Sequence, residues 1–407
     1  MSRDGKLLIA VRGLRTFSHS AVTVLVAIYL DLMGFSLVEV GVFLTLGATG
    51  AAVAALLSGI WGDKLGRRKM LAILAIFMGF TGAALATTTN FSILTVAAFF
   101  GGFSSTSGAA DGMGPLEQSI LPTTVPEIRR TEVFAIYGVV GTAAVAFGSL
   151  AAGAPTIIQG VIGLDQVRAT RLVFASYAAM SVVVAILYLL LSSAVEAPRG
   201  VRASTWGNPF KLPSRKRIFT LSGLFAVDSF GTGLIPHSLV AYYFFTRFAL
   251  QPEQLGLLFF ASSILTAFSM WVAVRLAKVI GLVNTMVFTH IPASVLVMAV
   301  PLVPAAWMAV ALWLFKSFFS QMDVPTSQSY TMAVVRPDER TAMASARMVS
   351  RSAGTAAGPT VSTVLWSSGS ATVPFIIGGT MKITYDLALW LLFKRVKPPE
   401  EMSGQRI

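Results

Sequence analysis

The chain has 407 residues, of which 55% are hydrophobic and 12% charged, and its mean hydropathy is +0.74. A soluble chain carries about twice that charged fraction, so the composition specifies a polytopic membrane protein. Cysteine is absent, which excludes disulfides, thiolate metal sites and thiol catalysis, and the net charge of +13 reads as basic loops facing anionic lipid rather than nucleic acid.

A membrane-spanning helix needs about 20 apolar residues. Twelve stretches qualify, at roughly 8–31, 38–60, 70–88, 91–111, 132–155, 170–194, 218–246, 254–277, 283–303, 305–325, 343–367 and 371–393. The first is too long for a signal-peptide core and has no small-residue cleavage pattern, so it is expected to be retained. Between the second and third lies Gly59-Ile60-Trp61-Gly62-Asp63-Lys64-Leu65-Gly66-Arg67-Arg68-Lys69. Here Gly62 and Gly66 permit a tight turn. Four cations hold the loop in the cytoplasm, and Asp63 needs a partner, an arginine or a helix N-terminus.

The order Gly-x-x-x-Asp-Lys-x-Gly-Arg-Arg resembles the signature loop between the second and third helices of the major facilitator superfamily (MFS) of secondary transporters. Gly59, Asp63, Lys64, Gly66, Arg67 and Arg68 fall on that pattern. The resemblance implies an all-α fold of twelve transmembrane helices in two pseudo-symmetric six-helix bundles. It also implies a gating role for these six residues. Met322–Thr326 and Phe225–Phe230 look like a bacterial-type branch of unknown substrate. One departure is the fifth span, where Gly148-Ser-Leu-Ala-Ala-Gly153-Ala-Pro155 replaces the Gly-Pro-x-x-Gly-Gly run common in drug–proton antiporters.

With both termini cytoplasmic, 23 of the 31 Lys and Arg fall at or beyond the cytoplasmic ends of the spans. Only Arg168, Arg171 and Arg247 fall at the outer ends, and this asymmetry sets the orientation. Residues 197–217 carry six bases and three prolines and read as a cytoplasmic linker between an N-terminal bundle, 1–196, and a C-terminal bundle, 218–407. At a constant offset of 210, Pro115, Gln118, Ser119, Val125, Arg130 and Thr131 match Pro325, Gln328, Ser329, Val335, Arg340 and Thr341. Arg275–Gly281 is a fainter echo of the signature loop. Duplicated halves put a transport site at their interface near the bilayer midplane.

Ionisable groups inside a bilayer cost about 2.5–3.5 kcal/mol or more each and are functional candidates by default. The resemblance implies that the first, fourth, seventh and tenth helices line the cavity. The first carries Arg15 and His19 one turn apart; snorkelling to the headgroups is the plain alternative for Arg15. The fourth ends in hydroxyl-rich Ser104–Gly108 and Asp111, a binding residue or a boundary carboxylate. The seventh carries Asp228, a carboxyl suited to a coupling proton, then Gly231, Gly233 and Pro236 as a helix-breaking hinge, then His237. The tenth carries Lys316 near the midplane and Asp323, its counter-charge or the cap of the next loop. The eleventh carries Arg347 and Arg351, one of them a candidate partner for Asp63 or Asp323. In the twelfth, Lys382 and Asp386 stand four apart and are expected to neutralise each other.

Arg15, Asp111, Asp228, His237, Lys316, Asp323, Arg347 and Arg351 therefore form the expected substrate and proton site. Two arginines and a mid-membrane lysine tilt it towards an anionic or zwitterionic solute. The expected function is a monomeric, proton-coupled, alternating-access carrier in the cytoplasmic (inner) membrane, binding a small molecule, protons and lipid but no nucleic acid, cofactor or metal. No nucleotide-binding loop is present, so a gradient drives it. A proton-driven exporter of lipophilic or cationic drugs is the alternative. A non-transporting membrane sensor on the same scaffold is a second alternative, and it would carry an extra cytoplasmic domain or a long tail. An enzyme lacks support, since His19, His237 and His290 lie on different spans and no Gly-x-Ser-x-Gly run occurs.

Overall fold

The computed structural model describes residues 1–104, 112–126, 129–196, 212–336, 339–394 and 396. Among these the regular structure is entirely helical. The helices are α1 (Arg3–Leu32), α2 (Leu37–Leu65), α3 (Arg67–Thr87), α4 (Phe91–Gly101), α5 (Gly114–Ile120), α6 (Arg130–Leu150), α7 (Ala154–Ile162) and α8 (Gln166–Leu189). They continue as α9 (Arg215–Leu234), α10 (His237–Phe248), α11 (Pro252–Ile280), α12 (Leu282–Ala299), α13 (Ala306–Phe319), α14 (Asp323–Ala333), α15 (Arg340–Ser368) and α16 (Thr372–Phe393).

The chain packs as two units. One is Met1–Val201 with Pro236–Ala261, and the other is Arg202–Ile235 with Ser262–Ile407. In the first unit α1 packs on α6, α8 and α10, and α3 packs on α8. In the second, α9 packs on α15 and α16, and α12 packs on α13, α14 and α16. Nine helical segments among the described residues are long and apolar enough to cross a membrane. The apolar helices α4 and α13 are shorter. Large apolar side chains such as Ile157, Val161, Val279 and Trp307 stand exposed on the helices, as a hydrocarbon solvent requires.

Local chemistry sets the helix ends. Ser36 and Glu39 form a capping box that starts α2, Asn90 caps α4 and Asp165 caps α8. Gly66 (φ 94°) joins α2 to α3, and Gly281 (φ 83°) joins α11 to α12. Each adopts a backbone that an L side chain resists, so the echo between the signature loop and Arg275–Gly281 extends to turn geometry.

Several elements differ from the sequence expectation. Gly62 lies inside α2 rather than in the turn; a Cβ there would stand 2.6 Å from Leu116, so its smallness serves packing. The fourth expected span, 91–111, stops as α4 at Gly101, because Gly102 turns left-handed (φ 60°). The tenth, 305–325, divides at Ser320–Met322, and α14 starts at Asp323, whose carboxylate suits the positive end of a helix. The seventh divides between Leu234 and His237 at the expected breaker Pro236, which supplies no amide donor and adopts an extended conformation, whereas Gly231 and Gly233 stay inside α9.

Candidate functional site

In the second unit α9, α12, α15 and α16 bring five ionisable side chains together. Asp228 on α9 is buried, and the Lys382 ammonium lies 2.9 Å from its Oδ1. The Arg351 guanidinium, more than a third exposed, approaches Oδ2 at 3.7 Å. His290 on α12 is also buried. Its Nδ1 stands 3.0 Å from both oxygens of Asp386, and its Nε2 is 3.5 Å from Lys382 Nζ and 3.8 Å from Asp228 Oδ1. Asp386 is fully buried and Tyr385 packs edge-on against the imidazole.

Tight helix packing builds this cluster. A Cβ on Gly358 of α15 would lie 2.1 Å from the Gly233 backbone of α9, and one on Gly354 would lie 2.5 Å from the Ala226 carbonyl. Only glycine lets the two backbones approach this closely, which brings Arg351 alongside Asp228. One turn earlier on α15, Arg347 donates to Ser327 Oγ at 2.9 Å and stacks over Phe225.

The first unit holds a different buried centre. Arg15 on α1 pairs with Glu117 on α5 at 2.8 Å, and both side chains are almost fully enclosed. The hydroxyls of Tyr137 on α6 and Tyr188 on α8 donate to the same carboxylate, and Arg12 stacks on Tyr137. His19 contacts Tyr177 and the Ser104 carbonyl.

At the signature loop Asp63 accepts from Arg67 Nε at 2.7 Å, one turn on. Glu196, beyond α8, receives the Arg67 amide at 2.5 Å and Arg68 Nε at 3.1 Å. A carboxylate thus occupies the N-terminus of α3, where no side-chain cap is otherwise supplied. Lys64 is exposed, and a Cβ on Gly59 would meet open space.

The expected site residues therefore divide. Asp228 and Arg351 meet, with Arg347 beside them. Lys316 on α13 stacks its ammonium over Trp313 at 4.5 Å, and Asp323 begins α14, buried. His237 begins α10 in the first unit and packs against Phe259. Arg15 is held by Glu117. Asp111 lies outside the described residues. Lys382 and Asp386 do not form the expected pair: Lys382 pairs with Asp228 at 2.9 Å and Asp386 with His290 at 3.0 Å, each partner on another helix. Asp63 finds its partner locally, in Arg67. Sequence reasoning passed over Glu117, which sits between the repeat markers Pro115 and Gln118, and over His290, which carried no ligand spacing.

A sequence profile described as Major Facilitator Superfamily matches residues 8–304 and 221–406. The chain belongs to the Major Facilitator Superfamily. Its curated relatives include the Saccharomyces cerevisiae "Uncharacterized membrane protein YJR124C", 25% identical over 422 aligned residues, covering 96% of this chain and 94% of the relative. Solved MFS structures share the fold. A peptide transporter POT variant in complex with sulfate aligns with a TM-score of 0.76 at 14% identity, covering 97% of this chain and 95% of that one. A bacterial homolog of the human lysosomal transporter Spinster, inward-facing and unoccupied, aligns at 0.69 with 17% identity, covering 95% and 94%. As an MFS member the chain is a multi-pass membrane protein with a transporter fold, and its charged centres lie on that scaffold's helices.

Proposed function

We propose that this MFS chain is a proton-coupled carrier of a small anionic or zwitterionic solute. It works as a monomer in the cytoplasmic membrane, by alternating access of an N-terminal (1–196) and a C-terminal (218–407) six-helix bundle joined by the 197–217 linker. Twelve helices cross the bilayer and both termini are cytoplasmic. The observation that carries the reading is Asp228, buried on a membrane helix between the Lys382 ammonium and the Arg351 guanidinium. A charge cluster buried on a membrane helix is expensive and points to ion or solute handling.

The balance of charge favours an anion. Around this centre the described residues supply four cations, Lys316, Arg347, Arg351 and Lys382, against three carboxylates, Asp228, Asp323 and Asp386. Arg351 reaches Asp228 only at 3.7 Å and is partly open, and Arg347 Nε has no hydrogen-bond partner among the described residues. Two guanidinium groups one turn apart with donors to spare suit a carboxylate or phosphate. Arg15, committed to Glu117, serves the scaffold. The signature loop, with Gly59, Asp63, Lys64, Gly66, Arg67 and Arg68, serves conformational switching.

The test is transport by purified protein in liposomes loaded with a pH-sensitive dye. Carboxylates, phosphates, amino acids, sugars and lipophilic cations are presented in turn. A carboxylate, phosphate or amino acid should drive proton movement in the wild type and not in Asp228→Asn. Proton movement with lipophilic cations alone would replace this reading with that of a drug exporter.

A further inference from the structure

The hydrogen-bonding capacities of the cluster fix the tautomer of His290. An ammonium has donors only, so Nε2, which faces Lys382 Nζ at 3.5 Å, presents its lone pair. The ring proton therefore sits on Nδ1 and is donated to Asp386, whose two oxygens are equidistant from it at 3.0 Å. Neutral His290 and Asp228 thus share one cation, Lys382.

A second proton can only go to Nε2. The ring then turns an N–H and a positive charge towards an ammonium 3.5 Å away, and the two cations repel. The same N–H points towards Asp228 Oδ1, 3.8 Å distant, and can replace Lys382 as its donor. One proton gained by Nε2 thus ends the Lys382 contact to the ring and exchanges an imidazolium for an ammonium at Asp228. The groups facing the ring are Asp386, Lys382 and Tyr385 from α16 and Asp228 from α9, with Asp323 on α14 acting at longer range. Lys316 on α13 and Arg347 and Arg351 on α15 complete the charged set.

We propose that His290 is the site of the coupling proton and that Lys382 is the cation it displaces, freed to bind the anionic group of the solute. The assignment deepens the carrier reading and rests on it for its purpose, but the proton site can be tested without any solute.

The chain has three histidines, so 15N-histidine labelling gives a spectrum assignable with one variant, His290→Gln. In nanodiscs at pH 8 the His290 signals should show the Nδ1–H tautomer and convert to imidazolium on acidification. At the pH where wild-type His290 is about one-tenth protonated, Lys382→Met should be at least half protonated, a roughly tenfold change in ratio or one pH unit. Unchanged His19 and His237 signals report an intact fold. An Nε2–H tautomer in the wild type overturns the proposal without any Lys382 variant, and so does a protonated ratio within twofold of wild type in Lys382→Met. Because no solute is present, success here with no proton-linked transport in liposomes would refute the carrier reading alone. The reverse pattern would refute the His290 assignment alone.

Discussion

Replacing Arg15 by methionine should damage the fold far more than solute handling. Arg15 and Glu117 lie 2.8 Å apart with side chains 3% and 0% exposed. Unit charges at that distance attract by about 6 kcal/mol at an effective dielectric of 20. Much of this offsets desolvation, and breaking a buried pair from one side costs about 3–5 kcal/mol. Tyr137 and Tyr188 continue to donate to Glu117 in Arg15→Met, which puts the expected loss near the lower end, about 3 kcal/mol. Glu117→Gln strands the guanidinium and should cost about as much. The double variant leaves no buried charge; the Gln oxygen still accepts from one tyrosine, and its amide nitrogen can donate to the hydroxyl of the other. It should therefore lose about 3 kcal/mol rather than 6, a coupling of about 3 kcal/mol. Unfolding by denaturing detergent in mixed micelles, followed by tryptophan fluorescence, measures all four proteins. Additive losses within about 0.5 kcal/mol would refute the pair as a structural unit. A double variant of near-wild-type stability that no longer transports would instead make Arg15 a solute ligand.

Three further outcomes are expected. Gly66→Ala forces an L side chain to φ 94° and should cost about 1–2 kcal/mol, slowing transport turnover with it; unchanged stability would refute the turn argument. Gly358→Ala puts a methyl into the Gly233 backbone, which cannot yield as a flexible side chain would; overpacking of about 1–3 kcal/mol should appear as a lower melting temperature, and a wild-type value would count against the α9–α15 contact. Glu339, just before α15, is pushed up by burial, but hydrogen bonds from Ser214 and the backbone, with Arg336 nearby, outweigh this and hold its carboxyl below the usual range. Its contribution is therefore present above about pH 4.3 and lost as the pH falls through the depressed native value. Glu339→Gln should be less stable at pH 7 and show a flatter acid limb; a limb as steep as wild type would remove Glu339 from the linkage.

The fold was legible because bilayer physics writes itself into long apolar runs. The signature loop was legible because its glycine, acid and bases lie within eleven residues. Asp228 stood out for the same reason, as a lone carboxyl in an apolar segment. Its partner did not. Lys382 is 154 positions away, and its nearest acid in sequence, Asp386, offered a plausible local pairing that the helix arrangement overrides. His290 looked isolated on its helix, since its neighbours come from α9 and α16. Glu117 drew no notice in the sequence, because its partners Arg15, Tyr137 and Tyr188 come from three other helices. Local spacing reports which groups share a helix face, whereas burial of charge is decided by what the opposite helix supplies.

Glu117 meets Tyr137 in the first unit, and Ser327 meets Arg347 in the second. Each member of one pair stands 210 positions from its counterpart, the same offset as the sequence repeat, yet none of the four letters is shared. At these positions the ancestry of the halves is preserved as a socket rather than as shared residues. One copy seats a neutral donor on an acid, and the other seats a cation on a hydroxyl. A duplicated bundle that keeps the socket while changing its occupants can give its two copies opposite electrical character without redesigning a backbone. Comparing contacts between halves, instead of letters, is then the sensitive way to find which positions diverged for function.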